Sequence, residues 1–276
     1  MTLAQWLQAC PLPRPEARML LQHISGYSAA QLITRDQEPL SEAVQTALFA
    51  LVGRRLQGEP MAYILGTREF YGRPFAVSPA VLIPRPETEH LVEAVLARLP
   101  QGGKVWDLGT GSGAVAVTVA LERPDAQVRA SDISEAALAA AKQNAAALGA
   151  AVEFACGSWF EVDRPPETHA YDVIVSNPPY IEAADPHLQQ GDLRFEPQNA
   201  LTDFSDGLSC IRALAAGAPK YLKPGGWLLL EHGYDQGRAA REILQTAGLQ
   251  AVATLTDLAG LERITLGCMP CDEKAA

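Results

Sequence analysis

Lys104-Val105-Trp106-Asp107-Leu108-Gly109-Thr110-Gly111-Ser112-Gly113, followed by Ala114-Val115-Ala116-Val117-Thr118-Val119-Ala120, is the stretch that decides the fold. A short apolar strand pattern runs into three alternating glycines and then into a helix pattern of small residues. The chain therefore turns sharply, and its backbone can approach a ligand closely. Nineteen residues after Gly113, at the end of a second strand pattern Gln127-Val128-Arg129-Ala130-Ser131, stands Asp132. A carboxylate in that place can accept hydrogen bonds from both hydroxyls of a ribose. The glycine spacing is G-x-G-x-G rather than the dinucleotide spacing G-x-G-x-x-G, and these pieces alone suit a dinucleotide as well as S-adenosylmethionine.

The order of the pieces carries the reading further. Val152-Glu153-Phe154-Ala155 reads as a third strand and Tyr171-Asp172-Val173-Ile174-Val175-Ser176 as a fourth. The glycine turn, Asp132 and Asn177 then all fall on the carboxyl edge of a parallel sheet, where such sheets bind their ligands. After the fourth strand comes Asn177-Pro178-Pro179-Tyr180. Two prolines end the strand abruptly and stiffen the turn, and neither has an N–H to donate. With the Asn177 carbonyl oxygen, the turn offers hydrogen-bond acceptors almost without donors, which suits a planar NH2 group with the Tyr180 ring packed against its plane. The plain alternative is a tight turn with a core tyrosine.

In this order the pieces resemble a class I S-adenosylmethionine-dependent methyltransferase of the group that methylates exocyclic or amide nitrogen through Asn-Pro-Pro-Tyr. Pro60-Met61-Ala62-Tyr63-Ile64-Leu65-Gly66, Phe70-Tyr71-Gly72, Leu82-Ile83-Pro84-Arg85-Pro86-Glu87-Thr88-Glu89, Arg194-Phe195-Glu196-Pro197 and Leu230-Glu231-His232-Gly233-Tyr234 narrow the likeness. Together they resemble the bacterial protein-glutamine N5-methyltransferases that modify peptide chain release factors. The likeness covers nearly the whole chain and is loosest over the helical N-terminal region.

The resemblance implies an α/β fold, a seven-stranded, mostly parallel, doubly wound sheet with a small N-terminal helical domain. It implies S-adenosylmethionine as cofactor, with Gly109, Thr110, Gly111, Ser112 and Gly113 along its methionine and ribose portions, Asp132 on the ribose hydroxyls and Trp159 near adenine; Asn177 is assigned to the cofactor site as well. Asn177, Pro178, Pro179 and Tyr180 would bind the acceptor, the glutamine of a release factor's Gly-Gly-Gln loop, with Asn177, Pro178 and Tyr180 taking part in catalysis. Arg85 to Glu89 would cover the cofactor, and Arg194-Phe195-Glu196-Pro197 would clamp the pocket. Glu231 and His232 read as hydrogen-bonding core groups. No general base is assigned, because the amide proton can leave to water after transfer.

Composition sets limits that agree. A chain of 276 residues with 48% hydrophobic residues can bury a large core and has room for a second, small domain. The net charge of −10 argues against an extended grip on a phosphate backbone. Residues 1–75 hold seven Arg and six Asp or Glu, so almost all the acidic excess lies beyond them. The competing enzyme reading is an adenine-N6 methyltransferase acting on a flipped base; the acidic charge and the lack of a basic, aromatic-interleaved segment stand against it. A noncatalytic cofactor-binding or assembly protein is the third reading, opposed by the intact glycine turn, Asp132 and Asn177–Tyr180.

Pro11, Pro13 and Pro15 interrupt the N-terminus before any signal-peptide pattern forms, and no apolar run approaches the roughly 20 residues of a membrane span. Cytoplasmic placement and free thiols at Cys10, Cys156, Cys210, Cys268 and Cys271 are expected. Cys268-Met269-Pro270-Cys271 has no second pair to make a zinc site, and no metal is expected.

Residues 1–75 read as short helices, with apolar stripes Leu3, Trp6, Leu7, then Ala17, Leu20, Leu21, Ile24, then Val44, Leu48, Leu51, Val52, Leu56. This region is expected to help grip class 1 release factors. Alternating apolar and turn residues over 70–84 suggest a hairpin, and residues 76–90 are taken as a hairpin linker. Residues 91–276 form the methyltransferase domain, closing with strands at Leu249–Thr254 and Glu262–Leu266, one of them antiparallel. The tail after Pro270 is expected to fray. A monomer is expected, since no heptad seam or apolar segment demands a partner.

Overall fold

The computed structural model describes residues 1–271 and divides into two compact units, Met1–Thr67 and Arg68 onward. The first unit is helical throughout: α1 (Leu3–Ala9), α2 (Arg14–Ser25), α3 (Ala29–Thr34), α4 (Glu42–Leu56) and α5 (Met61–Leu65). Local chemistry sets the ends. Thr2 and Ser28 open α1 and α3 with capping boxes, the Ser41 hydroxyl caps α4, and α2 and α5 stop at Gly26 and Gly66 in left-handed conformation. The expected stripes supply Leu3, Trp6, Ala17, Leu20, Leu21, Leu48 and Val52 to one core. Leu56 departs from its stripe: it is the last residue of α4 and lies 61% exposed. Arg55 next to it forks onto Glu16 at 3.0 and 2.9 Å, joining α4 to α2.

The second unit opens on a hairpin of β1 (Thr67–Phe70) and β2 (Arg73–Ala76). The last helix thus ends at Leu65, short of 75, and the hairpin, β1 and β2, lies over Thr67–Ala76 rather than within residues 76–90. Between β2 and α6 (Thr88–Leu96) the chain has no strand; Val77, Val81 and Ile83 bury their side chains from irregular backbone. Their spacing mimics a strand because alternate residues of a loop laid on a core are buried too.

The main sheet is built of β3 (Lys104–Leu108), β4 (Gln127–Asp132), β5 (Val152–Ser158), β6 (Glu161–Val162), β7 (Tyr171–Ser176), β8 (Leu222–Glu231), β9 (Gln250–Thr256) and β10 (Glu262–Cys268), in the order β6-β5-β4-β3-β7-β8-β10-β9. The five strands from β5 to β8 are parallel, and β10 runs antiparallel to both β8 and β9. The seven expected strands are all there, with the antiparallel one second from the edge; β6 adds a two-residue strand that folds back on β5.

Helices α7 (Ala114–Glu122), α8 (Glu135–Leu148), α9 (Gln198–Leu201), α10 (Ser209–Gly217) and α11 (Gly237–Thr246) complete the unit. Strand residues alternate between two cores, as the pleat requires. Val105, Val173, Val175 and Leu229 face α6, α7 and α8, whereas Trp106, Ile174, Leu228 and Leu230 face α10 and α11. Both faces of the parallel strands are therefore buried, which explains their near-continuous apolar runs. Among the described residues no helix is long and apolar enough to cross a membrane, and all five cysteines are unpaired.

Asn144 of α8 is the polar joint of this unit. It is 2% exposed, accepts from the Ala76 N–H at 2.8 Å, and donates to the carbonyls of Ala76 and Ser112 at 3.0 and 2.9 Å. It thereby fastens both the hairpin and the glycine turn to α8. Asn144→Leu keeps the volume but strands these groups, so a loss of about 3 kcal/mol or more in unfolding free energy is expected, at about 1–3 kcal/mol per buried group. Denaturant unfolding measures it; a midpoint like that of the wild type would show that Asn144 ties nothing.

Candidate active site

The glycine turn is held open by its neighbours. The N–H groups of Gly109 and Thr110 both donate to the Ser131 carbonyl, at 2.8 and 3.0 Å, and the Gly111 N–H donates to Asp132 Oδ2 at 2.9 Å. Gly109 takes φ +72°, and a Cβ there would stand 3.4 Å from the Trp159 ring. Trp159 is itself in left-handed conformation, at φ +47°, on the tight turn between β5 and β6. That turn lays the indole against the backbone of Gly109.

These residues line a cavity of about 310 Å³ at the carboxyl edge of the sheet, a size typical of small-molecule sites. Gly109, Thr110, Gly111, Ser112, Asp132, Trp159, Asn177 and Pro179 are all on its wall. Gly113, Pro178 and Tyr180 are not. Gly113 instead caps α7 at φ +83°, where a Cβ would press on Ala141 of α8 at 3.1 Å, so its role is helix packing. Pro178 is buried. Tyr180 is half-buried, its carbonyl accepts from Gln236 Nε2 at 2.9 Å, and burial raises its phenol pKa.

Carboxyl groups concentrate around this cavity. Asp107, 2% exposed, is pushed up to about 7 by burial, against the opposing bond from the Thr110 hydroxyl at 2.6 Å. Burial also raises Asp132, whose Oδ1 and Oδ2 accept from the Ser134 and Gly111 N–H groups, each at 2.9 Å. A carboxylate has about four acceptor directions, so these bonds do not exhaust Asp132. Asp107 escaped the sequence reading although it sits only two residues before Gly109; its place in strand β3 hid it.

Thr88 belongs to the Arg85–Glu89 segment expected over the cofactor, but its link to Asn177 was not foreseen. It lines the cavity, and its Oγ1 accepts from Asn177 Nδ2 at 3.2 Å. On the same side Arg85 donates to Glu196 Oε1 at 2.5 Å and the Ile83 N–H donates to Glu196 Oε2 at 3.0 Å. Two loops more than a hundred residues apart are thus pinned together beside the cavity by one buried carboxylate. Arg85 is on the cavity wall, but Glu89 is occupied in accepting from the Tyr71 N–H at 2.8 Å. His232 is fully buried and braces β8 against β10, its Nδ1 donating to the Gly233 carbonyl and its Nε2 meeting the Thr265 hydroxyl, both at 2.8 Å.

Comparison with known proteins bears on the same features. A family model described as PrmC N-terminal domain matches residues 3–66, and one described as methyltransferase small domain matches residues 86–192. The release factor glutamine methyltransferase of Neisseria gonorrhoeae is 67% identical over 267 residues, covering 97% of each chain. The enzyme of the same name from Bordetella pertussis is 55% identical over 97% of this chain and 99% of its own. Among solved structures, a methyltransferase from Pyrococcus furiosus has a TM-score of 0.54 at 19% identity, over 79% of this chain and 97% of that one, which speaks to the fold. With an Asn-Pro-Pro-Tyr turn and a glycine turn meeting at one cavity, and relatives this similar along almost its entire length, the chain belongs to the release factor glutamine methyltransferase family.

Proposed function

We propose that this chain transfers the methyl group of S-adenosylmethionine to the N5 amide nitrogen of the glutamine in the Gly-Gly-Gln loop of peptide chain release factors, and so tunes translation termination. The observation that carries the reading is that Asn177 and Pro179 share one cavity with Gly109–Ser112 and Asp132, in a chain 67% identical to a relative of that activity by name.

The residues fit the cofactor. Asp132 has acceptor directions left for a ribose diol, Trp159 offers a flat apolar face, and the carboxyls of Asp107 and Asp132 favour a cationic occupant. When bound, S-adenosylmethionine supplies a methyl group already activated by its sulfonium. A glutamine nitrogen is a poor nucleophile because its lone pair is delocalised into the carbonyl, so the protein's task is to aim and polarise it. Asn177 Oδ1 and the Pro178 carbonyl accept the two N–H groups, direct the nitrogen, and support the positive charge that grows on it as the N–C bond forms and the S–C bond breaks. Each such acceptor contributes about 2.7–4 kcal/mol to lowering the barrier, by analogy with an oxyanion-hole donor. Pro178 acts through its carbonyl, consistent with its buried ring. Tyr180, off the cavity wall, backs the turn as a neutral ring, since burial raises its phenol pKa. The proton leaves to water.

The helical unit, residues 1–67, grips the release factor, and the chain works as a cytoplasmic monomer without direct DNA binding. What supports the docking role is a near-balanced charge, beside the acidity of the remaining chain, together with a size too small for chemistry of its own.

Three outcomes test this reading. Asp132→Ala loses the paired acceptor, and an affinity for S-adenosylmethionine weaker by at least about tenfold is expected in calorimetric titration; an unchanged Kd in a folded mutant would remove Asp132 from the site. Asn177→Ala should bind cofactor normally yet lose transfer by on the order of 10²–10³-fold. Mass spectrometry of digested release factor should then show one added methyl on the Gly-Gly-Gln glutamine with wild type and almost none with the mutant. Methylation of adenine in nucleic acid by the wild type, in place of glutamine, would overturn the substrate. Removal of residues 1–67 should raise KM for full-length release factor by about tenfold or more while cofactor binding persists. Wild-type kinetics from a folded truncation would exclude docking.

A further inference from the structure

The Asn177 amide can serve the acceptor nitrogen in only one of its two flips, with Oδ1 toward the substrate and Nδ2 inward. Its own turn cannot select that flip, because Pro178 and Pro179 have no N–H groups to engage the amide. Selection has to come from behind. Two buried side chains on other elements stand there: Thr88, the first residue of α6 and 4% exposed, and Glu231, the last residue of β8 and 2% exposed. The strand register puts Glu231 in that place, since Ser176 pairs with Leu230 in the β7–β8 ladder and Asn177 and Glu231 are the next residues on each chain. Asn177 Nδ2 donates to Thr88 Oγ1 at 3.2 Å, and the Glu231 carboxyl is close enough to both side chains that each favours its ionised form. Its Oε2 is nevertheless buried without a partner. A buried carboxyl with an unsatisfied oxygen is costly, and packing alone gives no reason for it.

We propose that Glu231 is a positioning residue for methyl transfer: its carboxylate, directly and through the Thr88 hydroxyl, holds the Asn177 amide with Nδ2 inward and Oδ1 presented to the acceptor amide. This role rests on the reading of Asn177 given above. An ionised carboxylate only accepts, so it tolerates the Asn177 NH2 and repels its carbonyl oxygen. Its negative charge behind the amide also favours the positive charge that develops on the acceptor nitrogen. Protonated, the same group gains an O–H that can bond Oδ1 in the wrong flip, and the selection is lost.

The groups around it leave that charge state balanced. Arg263 of β10 favours the ionised form, but its Nε is engaged by Asp257 at 2.9 Å; Glu87, just before α6, opposes it. Tyr180 is neutral beside it, and the neighbouring His232 is taken up by Gly233 and Thr265. Burial outweighs the help from Thr88, Arg263 and Asn177 and pushes Glu231 up to about 7.

Release factor methylation at saturating S-adenosylmethionine, followed from roughly pH 6 to roughly pH 8, tests the role. Saturation removes the effect of Asp107, which titrates in the same range on the cofactor side. Wild-type kcat should rise through about pH 7 as Glu231 ionises. Glu231→Gln, which places an NH2 donor where the carboxylate was, should lose about tenfold or more in kcat at the upper end and show no rise, with KM and cofactor affinity within about twofold of wild type. Thr88→Val keeps the shape, removes the hydroxyl, and should lower kcat with cofactor binding intact, so the role stays testable if Glu231→Gln does not fold. Wild-type kcat and the same pH rise in either folded variant would overturn the proposal. So would parallel losses of kcat, cofactor affinity and melting temperature at every pH, the mark of a structural group. A wild-type protein that leaves the release factor unmethylated would overturn the functional reading itself, and this role with it.

Discussion

A hydrogen bond 2.6 Å long, from the Ser176 hydroxyl to the Leu108 carbonyl, joins the ends of β3 and β7 where the backbone ladder between them has already stopped. The ladder pairs Val105 with Val173, Trp106 with Ile174 and Asp107 with Val175, and no further. Beyond it the Leu108 carbonyl would be buried and unpaired, at a cost comparable to a lost hydrogen bond. The serine side chain takes the place of the missing backbone donor, so the two strands can part without leaving an orphan. This is also the place where the sheet order changes direction, with β4 and β5 on one side of β3 and β7 and β8 on the other. Ligand crevices in open α/β sheets form at such switch points. The glycine turn leaves β3 toward one layer of helices, the Asn-Pro-Pro-Tyr turn leaves β7, and the cavity is the gap between them.

The acidity of this gap has a thermodynamic consequence. Asp107, Asp132 and Glu231 are each raised by burial, the first and last to about 7. A carboxyl whose pKa is higher in the folded state binds more protons folded than unfolded. Its contribution therefore works against stability increasingly as pH rises from the ordinary carboxylate range toward about 7, and levels off above it. Interior groups selected for stability alone would be apolar. In the proposed function a cationic cofactor would offset the penalty at Asp107 and Asp132, and the Asn177 amide would do so in part at Glu231. Strain concentrates here too: Trp159 holds a left-handed backbone beside Gly109, and Phe204, at φ +56°, stands exposed on the same cavity wall.

The sheet was legible because each parallel strand, buried on both faces, carries its own apolar run, and the turns at Gly109 and Asn177 carry local chemistry that no other conformation would use. The hairpin was misplaced for the converse reason. Thr67, Arg68 and Glu69 of β1 are all exposed and give no alternation, whereas Val77, Val81 and Ile83 alternate in a loop. Within the site, the segments themselves could be read from the sequence, and which side chains of theirs meet through tertiary folding could not. Thr88 meets Asn177 across 89 positions, and Glu196 meets Arg85 across 111. No spacing rule spans such distances. Gly113 is the opposite case, a residue inside the motif whose work is to let α7 approach Ala141 of α8.

The Asn-Pro-Pro turn shows why a motif and its surroundings have to be read together. Prolines stiffen the backbone and clear it of donors, which makes the turn a good acceptor site and also deprives the asparagine of any local means of orientation. An aspartate at 177 would need no orientation but would add a fourth buried charge beside Asp107, Asp132 and Glu231 and could not donate to Thr88. A glutamine would add a rotatable bond to a group whose value lies in being fixed. Asparagine is the short neutral side chain that accepts at one end and donates at the other, so it can be locked from the protein side by an acceptor and left free toward the substrate. That lock requires a buried acceptor behind the turn. The end of β8, one position beyond the Ser176–Leu230 pair, is the position in this sheet that the register aligns with Asn177, and it carries Glu231.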